Sequence, residues 1–384
     1  MTAANPFAPG FGTTPPLLVG RRDDLRDFES AFDDGVNSPF RTVLVTGNRG
    51  AGKTVLLNAF EDIARRRGWH VLSETLSPGL GRRVLLDHIP RTLIELDGGA
   101  RGARLTGITS PFGGVSWEGA PERNSASTLR GSLQTLVEHA EQAGSGVLLT
   151  LDEIHTSNMD ELRDIAITAQ HLRREGRQFM FVGAGLPTSV SDLLSGDVLT
   201  FMRRAERMTL GAVSMDDVRD ALRVPIEQFG RRIEPDALDY AAEATGGYPF
   251  LIQQVGYAAW RSTDGVIRLA NAAFAADEAR RKVGRLVVGP AVHDLSPVDR
   301  SFLVAMSVDD GPSRMGDITQ RLRVSKQYGN TYRIRLLQTL LIHQPSRGMV
   351  DFTLPMMREY LREEAAHLAL TDQEEADPDA AERQ

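Results

Sequence analysis

Two kinds of hydrophobic pattern follow one another along the chain. Short, nearly continuous apolar runs occur at 42–46, 147–151 and 178–182, as in strands that are buried on both faces of a parallel sheet. Helical periodicity lies between them, at 53–67 and at about 159–174. This alternation predicts βαβ units and therefore an α/β fold, a parallel sheet with helices on both faces, at 17–212.

The pattern changes after residue 213, where strand-like runs become scarce. Three stretches with helical periodicity follow, at 216–229, 236–244 and 249–261. We interpret residues 213–290 as an all-helical lid subdomain that is separate from the α/β core.

A third unit is predicted at 291–370. Its segments follow the order helix, helix, helix, turn, strand and helix, at 297–306, 315–322, 325–342, 343–348, 349–353 and from Pro355 onward. Short turns between the first three helices suit a helix-turn-helix, and the whole order predicts a winged helix.

The two ends of the chain lack periodicity. Residues 1–16 are rich in Gly and Pro and predict a disordered arm. Residues 371–384 carry six acids against one base and predict an acidic, disordered tail. A Gly-, Ser- and Pro-rich stretch at 98–124 predicts a loop or exposed hairpin, to which the sequence assigns no role.

Composition excludes several classes of protein. The 384 residues are 41% hydrophobic and 25% charged, which is typical of a globular protein. The net charge is 44 − 51 = −7, so any nucleic-acid binding must be local. The absence of cysteine excludes disulfides, thiol catalysis and Cys-ligated metals. No apolar run approaches the roughly 18 residues of a membrane span, so we expect a cytoplasmic protein without a membrane partner.

A phosphate-binding motif follows the first predicted strand. It fits the pattern GxxxxGK[ST] and consists of Gly47, Asn48, Arg49, Gly50, Ala51, Gly52, Lys53 and Thr54. The glycines allow the backbone amides to point at a polyphosphate, and the following helix presents its positive dipole end. Lys53 is expected to reach the β and γ oxygens, and the Thr54 hydroxyl to bind Mg²⁺.

Two acids end the second predicted strand. Asp152 and Glu153 follow the apolar run 147–151, which is a Walker B pattern. We expect Asp152 to hold the metal, directly or through water, and Glu153 to act as general base on the attacking water.

The next strand and the segment after it affect the expected rate of hydrolysis. The strand ends at 183–185 in Gly-Ala-Gly. Many ATPases with a P-loop and a Walker B acid pair place a polar side chain beside the γ-phosphate at this point. Because this chain lacks one there, slow hydrolysis is expected. Arg203, Arg204 and Arg207 follow. One of them would stabilise transition-state charge from a neighbouring subunit or domain, with Arg204 and Arg207 as catalytic candidates. The alternative is a solvated basic helix face.

Four motifs in order carry a family resemblance. They are Leu18–Arg21, the P-loop, Leu151–Ile154 and Thr245–Pro249. The set resembles the AAA+ and STAND-type P-loop ATPases, near the archaeal-type and origin-recognition initiator branch, over about residues 17–290. The resemblance implies that Val19 and Gly20 lie against adenine and that Pro249, in the lid, closes over the nucleotide. The residues alone leave ATP and GTP open, whereas the resemblance implies ATP.

The predicted winged helix carries a local positive charge. No acid occurs from 318 to 350, while six bases do, namely Arg321, Arg323, Lys326, Arg333, Arg335 and Arg347. Such a patch can neutralise the phosphates of double-stranded DNA. Alternatively, the winged helix docks a protein or packs against the ATPase core.

The leading hypothesis is a switch. ATP and Mg²⁺ would bind the α/β core and the lid, fix the presentation of the winged helix to DNA or a protein partner, and be hydrolysed slowly to ADP. One alternative is a DNA-binding regulator with a structural nucleotide and negligible turnover. Another is an ATP-dependent homo-oligomeric scaffold, assembled through 203–207, whose winged helix docks protein.

Overall fold

The structure is a computed structural model in which two compact units are distinguished. It describes residues 4–10, 12–97, 128–154, 159–195, 202–354 and 356–364. The predicted loop at 98–124 and the predicted acidic tail at 371–384 lie outside these residues. Among the described helices, none combines the length and the apolar character needed to cross a membrane.

The first unit, here called the sheet unit, comprises residues 22–46 and 56–209. Its five strands run in the order β2-β3-β4-β1-β5. The strands are β1 (Thr42–Gly47), β2 (His70–Thr75), β3 (Val147–Ile154), β4 (Phe179–Gly185) and β5 (Glu206–Leu210). β3 pairs in parallel with both β2 and β4, and β4 pairs in parallel with β1. The predicted parallel sheet is therefore confirmed.

Helices cover this sheet, and its strands form the core. The helices are α1 (Arg22–Asp33), α2 (Lys53–Arg66), α3 (Leu80–Arg83), α4 (Ile89–Leu96), α5 (Leu129–Gln142), α6 (Met159–Arg174) and α7 (Pro187–Ser195). Leu44, Leu149 and Phe181 belong to one apolar cluster and are almost completely buried. The continuous apolar runs of the sequence arise because β1, β3 and β4 are buried on both faces over these runs.

The second unit, here called the helical unit, comprises residues 1–21, 47–55 and 210–384. Its first helices are α8 (Met215–Gln228), α9 (Pro235–Thr245), α10 (Pro249–Arg261), α11 (Leu269–Val283) and α12 (Gly289–His293). Two short strands lie between these helices and pair in parallel, β6 (Arg232–Ile233) after α8 and β7 (Val266–Ile267) after α10. Ser214 caps α8 by accepting a hydrogen bond from the Asp217 amide, and Pro249 begins α10.

The end of the described chain has the order of a winged helix. Its elements are α13 (Pro297–Ser307), β8 (Ser313–Arg314), α14 (Met315–Arg321), α15 (Lys326–Gln338), β9 (Ile342–His343) and β10 (Met349–Phe352), and a last helix covers 357–364. The strands form an antiparallel sheet in the order β8-β10-β9. The third helix is shorter than predicted, because Leu340 adopts a φ of +54° and Ile342 then pairs with Phe352.

The predicted lid and the predicted winged helix share one core. A single apolar cluster contains Val255 and Trp260 of α10 together with Phe302 of α13 and Val350 of β10. The sequence pattern, which shows only where helices begin and end, predicted two separate bodies here. The shared core instead makes residues 210–364 one body in their described part.

The predicted disordered arm is ordered where it is described. Phe7 is only 3% exposed, and a Cβ built on Gly256 of α10 would overlap its ring. The Asn5 side chain donates to the Tyr257 carbonyl at 3.1 Å. The prediction of disorder is wrong for these residues, because an extended segment can be held by one buried aromatic ring without any periodic pattern.

Candidate functional site

The P-loop folds as its glycines require. Gly50 and Gly52 have φ values of +74° and +92°, which side-chain-bearing residues rarely adopt. A Cβ on Gly47 would lie 3.1 Å from the Cβ atoms of both Ala51 and Leu210. Apart from Gly52 and its two chain neighbours, no atom of the described residues lies within 4 Å of the position that a Cβ on Gly52 would take. The backbone between β1 and α2 is therefore free of side-chain obstruction at Gly52, as a phosphate cradle needs.

Lys53 and Thr54 stand at the first turn of α2. The Lys53 ammonium group donates to the carbonyl oxygens of Gly47 and Asn48, at 2.9 and 3.0 Å. The Cβ position of Gly12, in the arm, lies 3.5 Å from the Thr54 methyl carbon. The Lys53 ammonium group thus lies against carbonyl groups of the loop itself, and the arm lies beside Thr54.

The box before the P-loop meets the start of the lid. A Cβ on Gly20, whose φ is +67°, would lie 3.0 Å from a methyl carbon of Val213. The Arg21 guanidinium donates to the Gly211 carbonyl at 2.9 Å, and the Val213 amide donates to the Gly247 carbonyl at 2.8 Å. Val19 packs against the same apolar cluster. The helical unit therefore contains the P-loop, Val19, Gly20 and the turn that leads to Pro249.

Tyr248 is a site residue that the sequence analysis missed. Its hydroxyl donates to the Arg49 carbonyl, and a Cβ on Gly50 would overlap that hydroxyl. Burial raises the pKa of Tyr248, so the phenol stays protonated and keeps its donor. The only signal was its place between the turn glycines and Pro249, which resembled the family motif without singling out the tyrosine.

The acid pair lies in the sheet unit, at the end of β3. The register with β4 shifts between Leu151 and Ile154. Glu153 is exposed and has a φ of +56°, a strained value for a residue with a side chain. Its amide donates to the Asp152 carboxylate at 2.8 Å. Strained backbone of this kind clusters at functional sites, and the role of Glu153 as general base stays a prediction.

The arginine segment divides between a short 3-10 turn at 202–204, which contains Arg203 and Arg204, and strand β5, which contains Arg207. Arg207 belongs to β5, where it is exposed while Met208 and Leu210 are buried. The alternative prediction of a basic helix face is therefore wrong at Arg207, because the side chains alternate with a period of two. Arg203 and Arg204 are also exposed, and Arg203 donates to the Leu194 carbonyl at 2.7 Å. The strand end at 183–185 is buried, as expected for a segment without a polar side chain.

The six bases of the winged helix fall into two groups. Arg321 pairs with Asp309 at 2.5 Å, and Arg335 pairs with Asp299 at 2.6 Å, so intramolecular acids neutralise both. Arg333 donates to Gln344 in the β9–β10 turn at 2.5 Å. No described acid pairs with the second group, which consists of Arg323, Lys326, Arg333 and Arg347. Of the six predicted DNA contacts, four therefore retain an uncompensated charge.

Two family models match the chain, each over a different part. A family model described as the AAA ATPase domain matches residues 17–182. This part of the chain, which includes the P-loop, is therefore similar to AAA ATPase domains, as the resemblance implied. A second family model, DUF8462, a domain of unknown function, matches residues 286–361. None of the curated proteins matches the chain by sequence.

Two solved structures are similar to the chain over most of its length. The Walker-type ATPase of Pyrococcus abyssi has a TM-score of 0.65 at 14% identity and covers 90% of this chain and 96% of its own. The ORC2 protein of Aeropyrum pernix, solved as ADPNP–ADP complexes, has a TM-score of 0.59 at 14% identity and covers 94% and 98%. The predicted likeness to the origin-recognition branch is thus confirmed as a likeness of fold.

Proposed function

We propose that the chain is an ATP-binding, slowly hydrolysing switch whose nucleotide state controls the presentation of the winged helix to duplex DNA. The observation that carries this proposal is the complete P-loop, with its left-handed glycines, in the same compact unit as the winged helix. A phosphate site and a candidate DNA-binding module that share one body can influence each other through packed contacts.

The chemistry assigned to each residue follows from its type. Backbone amides of 47–54 would bind the phosphates, and Lys53 would neutralise their charge. Thr54 and Asp152 would hold Mg²⁺, which supplies charge neutralisation of the γ-phosphate. Glu153 would accept a proton from the attacking water. The apolar end of β4 supports slow turnover, because no side chain of 183–185 can orient that water or the γ-phosphate.

Calorimetry tests nucleotide binding directly. The full chain is titrated with ATP and with GTP in the presence of Mg²⁺, and Lys53→Ala is compared with Lys282→Ala, the same substitution on α11. Lys53→Ala should weaken ATP binding by about 100-fold or more, since a phosphate charge loses its partner. Lys282→Ala should bind as the wild type does. If the wild type gives no heat of binding with either purine nucleotide, the proposed switch function is wrong.

Turnover separates the switch from a regulator with a structural nucleotide. Glu153→Gln removes the base while keeping the size of the side chain. The switch predicts ATP binding without phosphate release in this variant and slow release in the wild type. Equal, background-level release from both proteins would favour the structural nucleotide.

DNA binding is proposed for the exposed face of α15 and the turn between β9 and β10. Lys326, Asn330 and Thr331 are exposed on α15, and Arg347 is exposed in the turn. The bond between Arg333 and Gln344 connects the helix to the turn. Together they present positive charge and hydrogen-bonding groups, as a recognition helix and wing do.

Charge reversal tests this surface. Lys326→Glu and Arg333→Glu should each weaken binding to duplex DNA and lower the slope of log affinity against log salt by about 1. Arg91→Glu, on α4 and 81% exposed, is the control and should leave both quantities unchanged. If the wild type binds no duplex even at low salt, the winged helix docks protein instead.

The exposure of Arg204 and Arg207 favours a second candidate, an ATP-dependent homo-oligomer. Either guanidinium could neutralise the γ-phosphate of a neighbouring copy. Light scattering with and without ATP distinguishes this candidate, since it predicts a larger mass with ATP that Arg204→Ala plus Arg207→Ala abolishes. An unchanged monomer would exclude it.

A further inference from the structure

The tip of the P-loop contacts the winged helix. The Asn48 side-chain amide donates to the Leu340 carbonyl at 2.7 Å. Leu340 lies in the turn between α15 and β9, and its φ of +54° is strained for a β-carbon-bearing residue. A direct hydrogen bond therefore connects the P-loop to the turn that follows α15, the proposed recognition helix.

The same tip is held by the lid. The buried Tyr248 hydroxyl donates to the carbonyl of Arg49, the residue next to Asn48. The Arg49 guanidinium also lies 3.4 Å from the Asp294 carboxylate, but both side chains are more than half exposed. Solvent screens that ion pair. The hydrogen bonds from Asn48 to Leu340 and from Tyr248 to Arg49 therefore contribute more to holding the P-loop tip in place.

Nucleotide chemistry acts on the same residue. Lys53 donates to the main-chain carbonyl of Asn48 at 3.0 Å. When the ammonium group turns to a phosphate oxygen, this bond is exchanged, and the Asn48 carbonyl keeps the hydrogen bond from the Ala51 amide at 3.2 Å. The peptide that carries Asn48 is then held by one hydrogen bond fewer and can reorient more easily. A rotation of that peptide moves the side-chain amide away from the Leu340 carbonyl, because the side chain of Asn48 is short.

We propose that Asn48 is the residue through which the nucleotide site and the winged helix regulate each other. The inference rests on the proposed function and deepens it by naming the link. The lid and the winged helix share one core, so a hinge between them is a weaker candidate for transmission. The P-loop tip instead acts on the strained turn at Leu340, and linkage makes the effect reciprocal.

Hydrogen exchange of the full chain tests the proposal. Amides of 338–343 are followed with and without saturating MgATP, with saturation established by calorimetry for each protein. In the wild type, ATP should change the exchange rate of the Leu340 amide by about threefold to tenfold, the range expected for one hydrogen bond. In Asn48→Ala at saturating ATP, that change should be lost.

Two further variants sharpen the result. Asn48→Ser keeps a small polar side chain that is too short to reach the Leu340 carbonyl, and should behave as Asn48→Ala does. Asp294→Asn removes only the screened ion pair and should keep the wild-type response. In nucleotide-free protein, both Asn48 variants should already exchange faster at Leu340, a difference that does not depend on ATP binding.

The outcomes separate this proposal from the function on which it rests. Absence of ATP binding by the wild type overturns both. ATP binding without any change at 338–343 overturns only the role of Asn48, as does an unchanged response in Asn48→Ala or Asn48→Ser. If neither variant binds ATP, basal exchange at Leu340 equal to that of the wild type overturns it.

Discussion

The two units of the chain are built on different principles. The sheet unit is formed from two long segments, 22–46 and 56–209, around three strands, β1, β3 and β4, whose apolar runs are buried on both faces. The helical unit gathers three segments that are distant in sequence, namely the arm, the P-loop and residues 210–384. Local hydrophobic pattern is therefore sufficient to define the first unit, whereas the second depends on contacts between segments far apart in the chain.

This difference between the units matters for function, because the P-loop directly follows strand β1 in sequence but packs with the helical unit. β1 ends at Gly47, yet the P-loop residues cluster with the lid and the winged helix. Tyr248 and Leu340, about 200 and 290 residues further along, bond to the P-loop tip. The P-loop is thus structurally part of the unit that it is proposed to control.

The largest expected effect comes from the anchor of the arm. Phe7→Ala should destabilise the helical unit by about 3–5 kcal/mol, the usual cost of emptying a buried phenylalanine site. Hydrogen exchange should accelerate in α10 and stay unchanged in β3. The matched variant is Phe28→Ala in the sheet unit, where Phe28 is fully buried and stacks on Phe60 at 4.0 Å. It should give the reverse pattern, and acceleration of both regions by either variant would show that the two cores unfold together.

A smaller effect is expected from a polar contact inside the sheet unit. The Thr150 hydroxyl donates to the Glu61 carboxylate at 2.6 Å, and both residues are buried. Thr150→Val leaves that carboxylate oxygen without a partner and should cost about 1–3 kcal/mol in urea unfolding. Thr168→Val is the control, because its hydroxyl only adds a bond to the Asp164 carbonyl of the same helix. Equal costs for the two variants would contradict a special role of the Glu61 contact.

The smallest effect concerns acid stability in the helical unit. Hydrogen bonds from Arg321 lower the pKa of Asp309 from 3.8 to about 2. A depressed carboxyl pKa stabilises the fold above its unfolded value, and this stabilisation is lost as the pH falls from about 4 towards 2. Because solvent screens the pair, we expect about 1 kcal/mol. Urea unfolding at pH 5 and pH 2.5 should show the difference between wild type and Asp309→Asn shrinking at the lower pH, and a constant difference would contradict the assignment.

Sequence reasoning was most successful where chemistry and pattern coincide within a short segment. The strands at 42–47, 147–154 and 179–185 and the helices from Lys53, Met159 and Pro249 follow from local periodicity. The roles assigned to Lys53, Asp152 and Glu153 stay predictions, to which the strained φ of Glu153 adds support. Phe7, Tyr248 and the Asn48–Leu340 bond were not predicted, because each depends on a partner that lies far away in sequence.

The sequence by itself determined the parallel sheet, the P-loop and the order of a winged helix, since each is encoded by spacing within a few tens of residues. Only the tertiary structure decided that the arm is held by one phenylalanine, that the lid and winged helix share a core, and that two of six bases are neutralised by Asp299 and Asp309. The physical reason is that burial and ion pairing are properties of pairs of distant residues. No pattern along one segment contains the identity of the partner.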